Sequence, residues 1–252
     1  MSATFPPQIP WQLSRGVLKL SDVPWNVSKS KIIDLFHPVK DNLNAVPARS
    51  WNYVIHIITD RYDNRTWDVF VEFKSPEYAR CALKLLENTD DAPRIQGRRI
   101  CVEESSTAVM ARAVFPFAQV EFEGEGYRPK AAYKGLFGPD DLLNVRKTAT
   151  NLMRTPERVY ESFLSALQML PDAYANNPNT HENVEDVVVT AKCLIKQLLD
   201  ELIARNHPEG LTWRLLESFV DVIDQARYFT TEQKVHIMKE VPFYNRSGYA
   251  SF

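Results

Sequence analysis

The chain reads as an α+β protein, a ferredoxin-like βαββαβ sandwich followed by a mainly α-helical domain. Three observations lead there. From Arg15 to Glu104, apolar residues recur at the strand period and the helix period in the order strand, helix, strand, strand, helix, strand. Two split βαβ units in succession give an antiparallel sheet with both helices on one face. Beyond Pro139 only the helical period remains.

Each element has a local cause. Residues 1–14 form an extended arm, because Pro6, Pro7 and Pro10 resist regular structure. Val17–Asp22 is the first strand. Ser28 caps a helix through Phe36, which buries Ile32, Ile33, Leu35 and Phe36, and His37-Pro38 ends it. Tyr53–Thr59 is rich in β-branched residues and makes the second strand. The polar run Asp60–Arg65 turns the chain into the third, Thr66–Phe73, where Val69, Val71 and Phe73 alternate with Asp68, Phe70 and Glu72. Ser75-Pro76-Glu77 opens a helix to about Asn88, and Gln96-Gly97 leads into strand four, Arg98–Glu103.

Residues 105–138 are read as a linker or packed extension, with Val114–Phe117 and Val120–Phe122 as short strands or ordered coil. The helical domain, residues 139–252, holds candidates at Asp140–Met153, Thr155–Leu170, Asn183–Arg205, Leu211–Tyr228 and Thr230–Glu240. Pro171–Glu182 is expected to be a mobile loop. The domain division is thus 1–14, 15–104, 105–138 and 139–252.

Composition narrows the function. The net charge is −2, and residues 11–104 carry 14 Lys/Arg against 13 Asp/Glu, so neither half grips nucleic acid by bulk charge. No apolar run approaches the roughly 18 residues of a membrane span, and Met1–Pro10 lacks a secretory pattern. A nuclear or cytoplasmic, non-secreted protein without a membrane partner is expected. Cys81, Cys101 and Cys193 are too scattered for a metal set or disulfide framework and are read as reduced, buried thiols. There is no Gly-rich phosphate loop, nucleophile motif or metal spacing, so neither an enzyme nor a cofactor is expected.

Residues 17–28, with the turn Val23-Pro24-Trp25, and residues 66–75, with the run Val69-Phe70-Val71-Glu72-Phe73, resemble the RRM family. Their motifs are most similar to the quasi-RRM domains of heterogeneous nuclear ribonucleoproteins F and H. The resemblance spans residues 15–104. An ordinary RRM stacks bases on three sheet aromatics. At those positions this chain has Lys19, Asp68 and Phe70, and Trp67 replaces a usual glycine. Quasi-RRM domains use loops instead, and by resemblance Trp25 matches their turn tryptophan and Arg99 their arginine near strand four. The aromatic after that arginine is Ile100 here, and a basic position on strand one is Ser21.

Alternation places Lys19, Ser21, Asp68, Phe70 and Glu72 on the open sheet face, with Arg99, Cys101 and Glu103 beside them. The acids there either repel phosphate or pair with Lys19 and Arg99. Arg61, Tyr62, Arg65 and Trp67 interleave charge and aromatic surface, a pattern suited to stacking with phosphate contacts, or else form a solvated hairpin tip. In the helical half, Asp140-Asp141 and Glu185-Asp186 read as helix-start acids, and Leu194, Leu198, Leu199, Leu202 and Ile203 as core or docking surface. The aromatic residues of 242–252 pack back or meet a partner.

The expectation is a non-catalytic RNA-associated protein. Single-stranded RNA is held weakly by Lys19, Trp25, Arg61, Tyr62, Arg65, Trp67, Phe70, Arg98 and Arg99, and the helical domain binds a protein partner. The alternative is a protein–protein adaptor whose RRM-like domain has lost RNA binding.

Overall fold

The computed structural model describes residues 9–10, 15–42, 55–59, 66–87, 92–124, 126–138, 140–151, 155–204, 208–239 and 241. The chain divides into two compact units, residues 1–133 and residues 134–252.

In the first unit the strands are β1 (Ile9–Pro10), β2 (Gly16–Ser21), β3 (Ile55–Thr59), β4 (Thr66–Phe73), β5 (Arg94–Ile95), β6 (Arg98–Arg99), β7 (Cys101–Ser105), β8 (Val120–Glu123) and β9 (Gly126–Pro129). The helices are α1 (Lys29–Leu35), α2 (Pro76–Glu87) and α3 (Thr107–Val114). Strands β3, β4, β2 and β7 form one antiparallel sheet in that order. Helices α1 and α2 follow β2 and β4, which is the RRM-like arrangement. Leu18, Leu20, Ile55, Ile57, Val69, Val71 and Phe73 join Ile32, Phe36, Ala79 and Ala82 in one core. Ser28 caps α1 by accepting from the Lys31 amide, as its sequence position predicts.

The third strand departs from uniform alternation. Ile58 faces Asp68, but Thr59 faces Thr66, so Trp67 is the extra residue of a β-bulge. Strand four is also divided. Gln96 (φ 54°) and Gly97 (φ 80°) both lie in the left-handed region and close a tight hairpin between β5 and β6. Only Cys101–Ser105 then pairs with β2.

Residues 105–138 contain an α-helix that strand readings of Val114–Phe117 overlook. Ser106 caps α3 through the Val109 amide, and Ala108, Met110 and Ala111 are buried. Helix α3 packs on β2 and β8, while β1, β9 and β8 make a separate sheet.

The second unit is helical: α4 (Asp141–Thr150), α5 (Glu157–Met169), α6 (His181–Ile203), α7 (Trp213–Gln225) and α8 (Thr231–Met238). Phe219 of α7 stacks on Phe163 at 6.3 Å and meets Tyr160 edge-on at 6.0 Å. Leu194, Leu198, Leu199 and Leu202 are core, whereas Ile203 is exposed. The expected loop Pro171–Glu182 is ordered into two short 3₁₀ turns and the start of α6. Because α6 starts at His181, Glu185-Asp186 lies in its second turn, and Glu185 accepts from Gln233 of α8 at 2.8 Å. The three cysteines are exposed, correcting their reading as buried thiols. Among the described residues no helix is long and apolar enough to cross a membrane.

Candidate nucleic-acid interface

The strand registers assemble the sheet face row by row. His56, Phe70, Lys19 and Glu103 form a central row, with Glu72, Val17 and Ser105 on one side and Ile58, Asp68, Ser21 and Cys101 on the other. This face is not an open stacking platform. Phe70 is only 1% exposed, which corrects the expectation that it presents its ring to RNA. After β7 the chain forms α3, which packs against β2 with Met110, Ala111 and Phe115 buried.

Burial also changes the role of the acids. Glu72, expected on the open face, is buried between Arg15 (2.5 Å) and His56 (2.6 Å). Desolvation favours its neutral form, but the hydrogen bond and charge of His56, with the charge of Arg15, outweigh it. They bring its pKa down from 4.5 to about 2. His56 Nδ1 is buried with no hydrogen-bond partner among the described residues. Lys19 is occupied as well, lying 3.4 Å from Asp68 and 3.7 Å from Glu103. Ser21 donates to Asp68 at 3.0 Å. The central face therefore satisfies its own charges.

One end of the sheet is different. Strand β2 leaves it through Asp22, whose left-handed φ of 61° starts the turn to Trp25. Strand β4 begins there with Thr66-Trp67, and β7 enters there after Arg98-Arg99. Thr66 ties two of these segments together, because its amide and hydroxyl both donate to the Trp25 carbonyl, at 3.4 and 2.9 Å. Trp25 is 40% exposed and Trp67 69%. Arg98 and Arg99 are exposed on the short hairpin.

Arg94 is an addition that the sequence reading missed. It faces Arg99 across the hairpin and donates to the Gly97 carbonyl at 2.8 Å. The cue was the spacing of three arginines around Gln96-Gly97, which a two-residue turn brings together. Arg61, Tyr62 and Arg65 lie outside the described residues. Of the expected binding residues, the sheet end thus gathers Trp25, Trp67, Arg98 and Arg99, while Lys19 and Phe70 belong to the closed face.

The opposite, helix-side surface carries an apolar groove of about 560 Å³ lined by Leu35, Phe36, Pro38, Val39, Leu85 and Leu86. No cluster of three or more His, Cys, Asp or Glu side chains suited to a metal occurs among the described residues.

Residues 14–124 match the model of a domain of unknown function, DUF8400, and residues 134–243 match another, DUF8399. No curated protein matches the chain. Among solved structures, the chain is similar to one described as "Crystal structure of Glorund qRRM2 domain". The two share 28% identity over 40% of this chain and 99% of that one, with a TM-score of 0.31.

Proposed function

We propose that this is a non-catalytic RNA-associated protein that takes single-stranded RNA weakly at the end of its RRM-like sheet. In this reading Trp25 and Trp67 stack on bases, and Arg98 and Arg99 contact phosphates. The helical unit binds a protein partner. The observation that carries the reading is the convergence of exposed tryptophans and arginines at one sheet end while the face beside it is closed. Stacking suits single strands because their bases are free, and two or three cations give modest affinity.

The test is RNA affinity of the full chain against a Trp25→Ala/Arg99→Ala double variant, by anisotropy of a labelled single-stranded oligonucleotide. Binding by the wild type and a loss of about tenfold or more in the variant is expected. Equal binding by both removes this site.

The burial of Phe70 and the apolar groove favour a second reading, a protein–protein adaptor. It gains if the wild type binds no RNA up to high micromolar concentration and its captured protein partners persist after ribonuclease.

A further inference from the structure

We infer that the apolar groove on the helix side of the RRM-like domain is a homodimer interface, covered by the same surface of a second copy of this chain. The inference goes beyond the RNA reading and stands apart from it, since neither Trp25 nor Trp67 lines the groove.

Helix α2 carries more apolar surface than the core takes up. Ala79 and Ala82 are buried, and Leu83 and Leu86 pack against the core. Tyr78, Cys81 and Leu85 lie on one flank of the helix, at i, i+3 and i+7, and all three are exposed. Leu85 lines the groove, together with Leu35, Phe36 and Val39. An apolar flank that runs on into an apolar groove is the usual mark of a protein contact.

The groove is also held in shape. Pro38 and Pro93 line it with fixed φ. The Lys74 ammonium donates to the Asp41 carbonyl at 2.6 Å, tying α2 to the 3₁₀ turn His37–Asn42. The Ile100 amide donates to the Pro93 carbonyl at 3.0 Å, which anchors the segment carrying Arg94. A preformed groove loses little conformational freedom when it is filled.

Charge selects the occupant. The groove is lined by one exposed acid, Asp34 of α1, and one exposed cation, Arg94 of β5. Asp34 lies 3.8 Å from Lys31 on its own helix, an exposed pair of small worth, and Arg94 donates to the Gly97 carbonyl. A strongly acidic or strongly basic partner meets a like charge at one of the two. A second copy does not. In a two-fold dimer, Asp34 of one copy meets Arg94 of the other and the reverse, with both apolar flanks buried between them.

Sedimentation equilibrium of the full chain tests this. The wild type is expected to pass from monomer to dimer, with a dissociation constant on the order of 1–100 µM for an interface of this modest size. Leu85→Glu, at a position 45% exposed, should fold normally and weaken self-association about tenfold or more. Asp34→Arg and Arg94→Asp each oppose like charges twice across the two-fold axis, so each alone should weaken it by about tenfold. An equimolar mixture of these two variants regains both opposite-charge contacts, and its heterodimer should form within about threefold of wild-type affinity. Circular dichroism melts confirm that each variant is folded. A wild type that stays monomeric up to about 0.5 mM overturns the inference in favour of a different protein partner. A dimer left intact by Leu85→Glu places self-association elsewhere, and charge variants that fail to rescue one another remove the two-fold pairing. Either result overturns it.

Discussion

Glu72 shows how a single residue changes role once its surroundings are known. As one of the alternating acids of β4 it reads as a solvent-facing charge that repels phosphate. In the fold it is a buried carboxylate between Arg15 and His56. Its pKa falls from 4.5 in the unfolded chain to about 2 in the folded one. The ionised form is therefore favoured by folding, and its contribution is fully present above pH 4.5 and lost as pH falls towards 2. Urea unfolding across this range should show that acid limb in the wild type and a flattened one in Glu72→Gln. At neutral pH the same variant is expected to lose about 3 kcal/mol, because it removes the buried carboxylate that pairs with Arg15 and His56. A wild-type acid limb retained in full by Glu72→Gln would count against this assignment.

At the scale of elements, the burial of Phe70 on β4 limits what the sheet face can do. Ser106 starts helix α3, Ala108, Met110 and Ala111 of that helix turn inward, and it packs against β2. If Phe70 is a packing residue, Phe70→Ala should cost about 3–5 kcal/mol of stability. It should leave the RNA affinity of the folded protein unchanged. Thermal melts and oligonucleotide titration of the same sample separate the two effects, and a selective loss of affinity would return Phe70 to the binding surface. The strand period was legible because each side chain alternates with its neighbour. Helix α3 was not, since Val114-Phe115-Pro116-Phe117 draws attention to strand propensity at its end. Trp67 escaped a regular reading for a related reason, because a bulge depends on the register of the partner strand.

For the whole molecule, charge sets the expected character of binding. The chain has a net charge of −2, and the sheet end has only a few exposed arginines. With Arg98 and Arg99, and Arg94 across the hairpin, RNA binding should neutralise about two to three phosphates, so the slope of log affinity against log salt should lie at roughly −1.5 to −2. A titration series in potassium chloride measures it. A much steeper slope would place the contact on a larger basic surface than this sheet end provides.

The sequence by itself determined the order of strands and helices in the RRM-like part, the change to helices after Pro139, and the residue types available for stacking. These follow from local periodicity, capping and turn chemistry, which act over a few residues. Only the tertiary structure decided which of those residues remain accessible. Burial of Phe70, the pairing of Glu72 with Arg15 and His56, and the joining of Trp25 to Thr66 all depend on distant parts of the chain. Alternation assigns a side chain to a face, but burial depends on what another segment brings to that face. That is why Val69, Val71 and Phe73 could be recognised as core, whereas Phe70 could not.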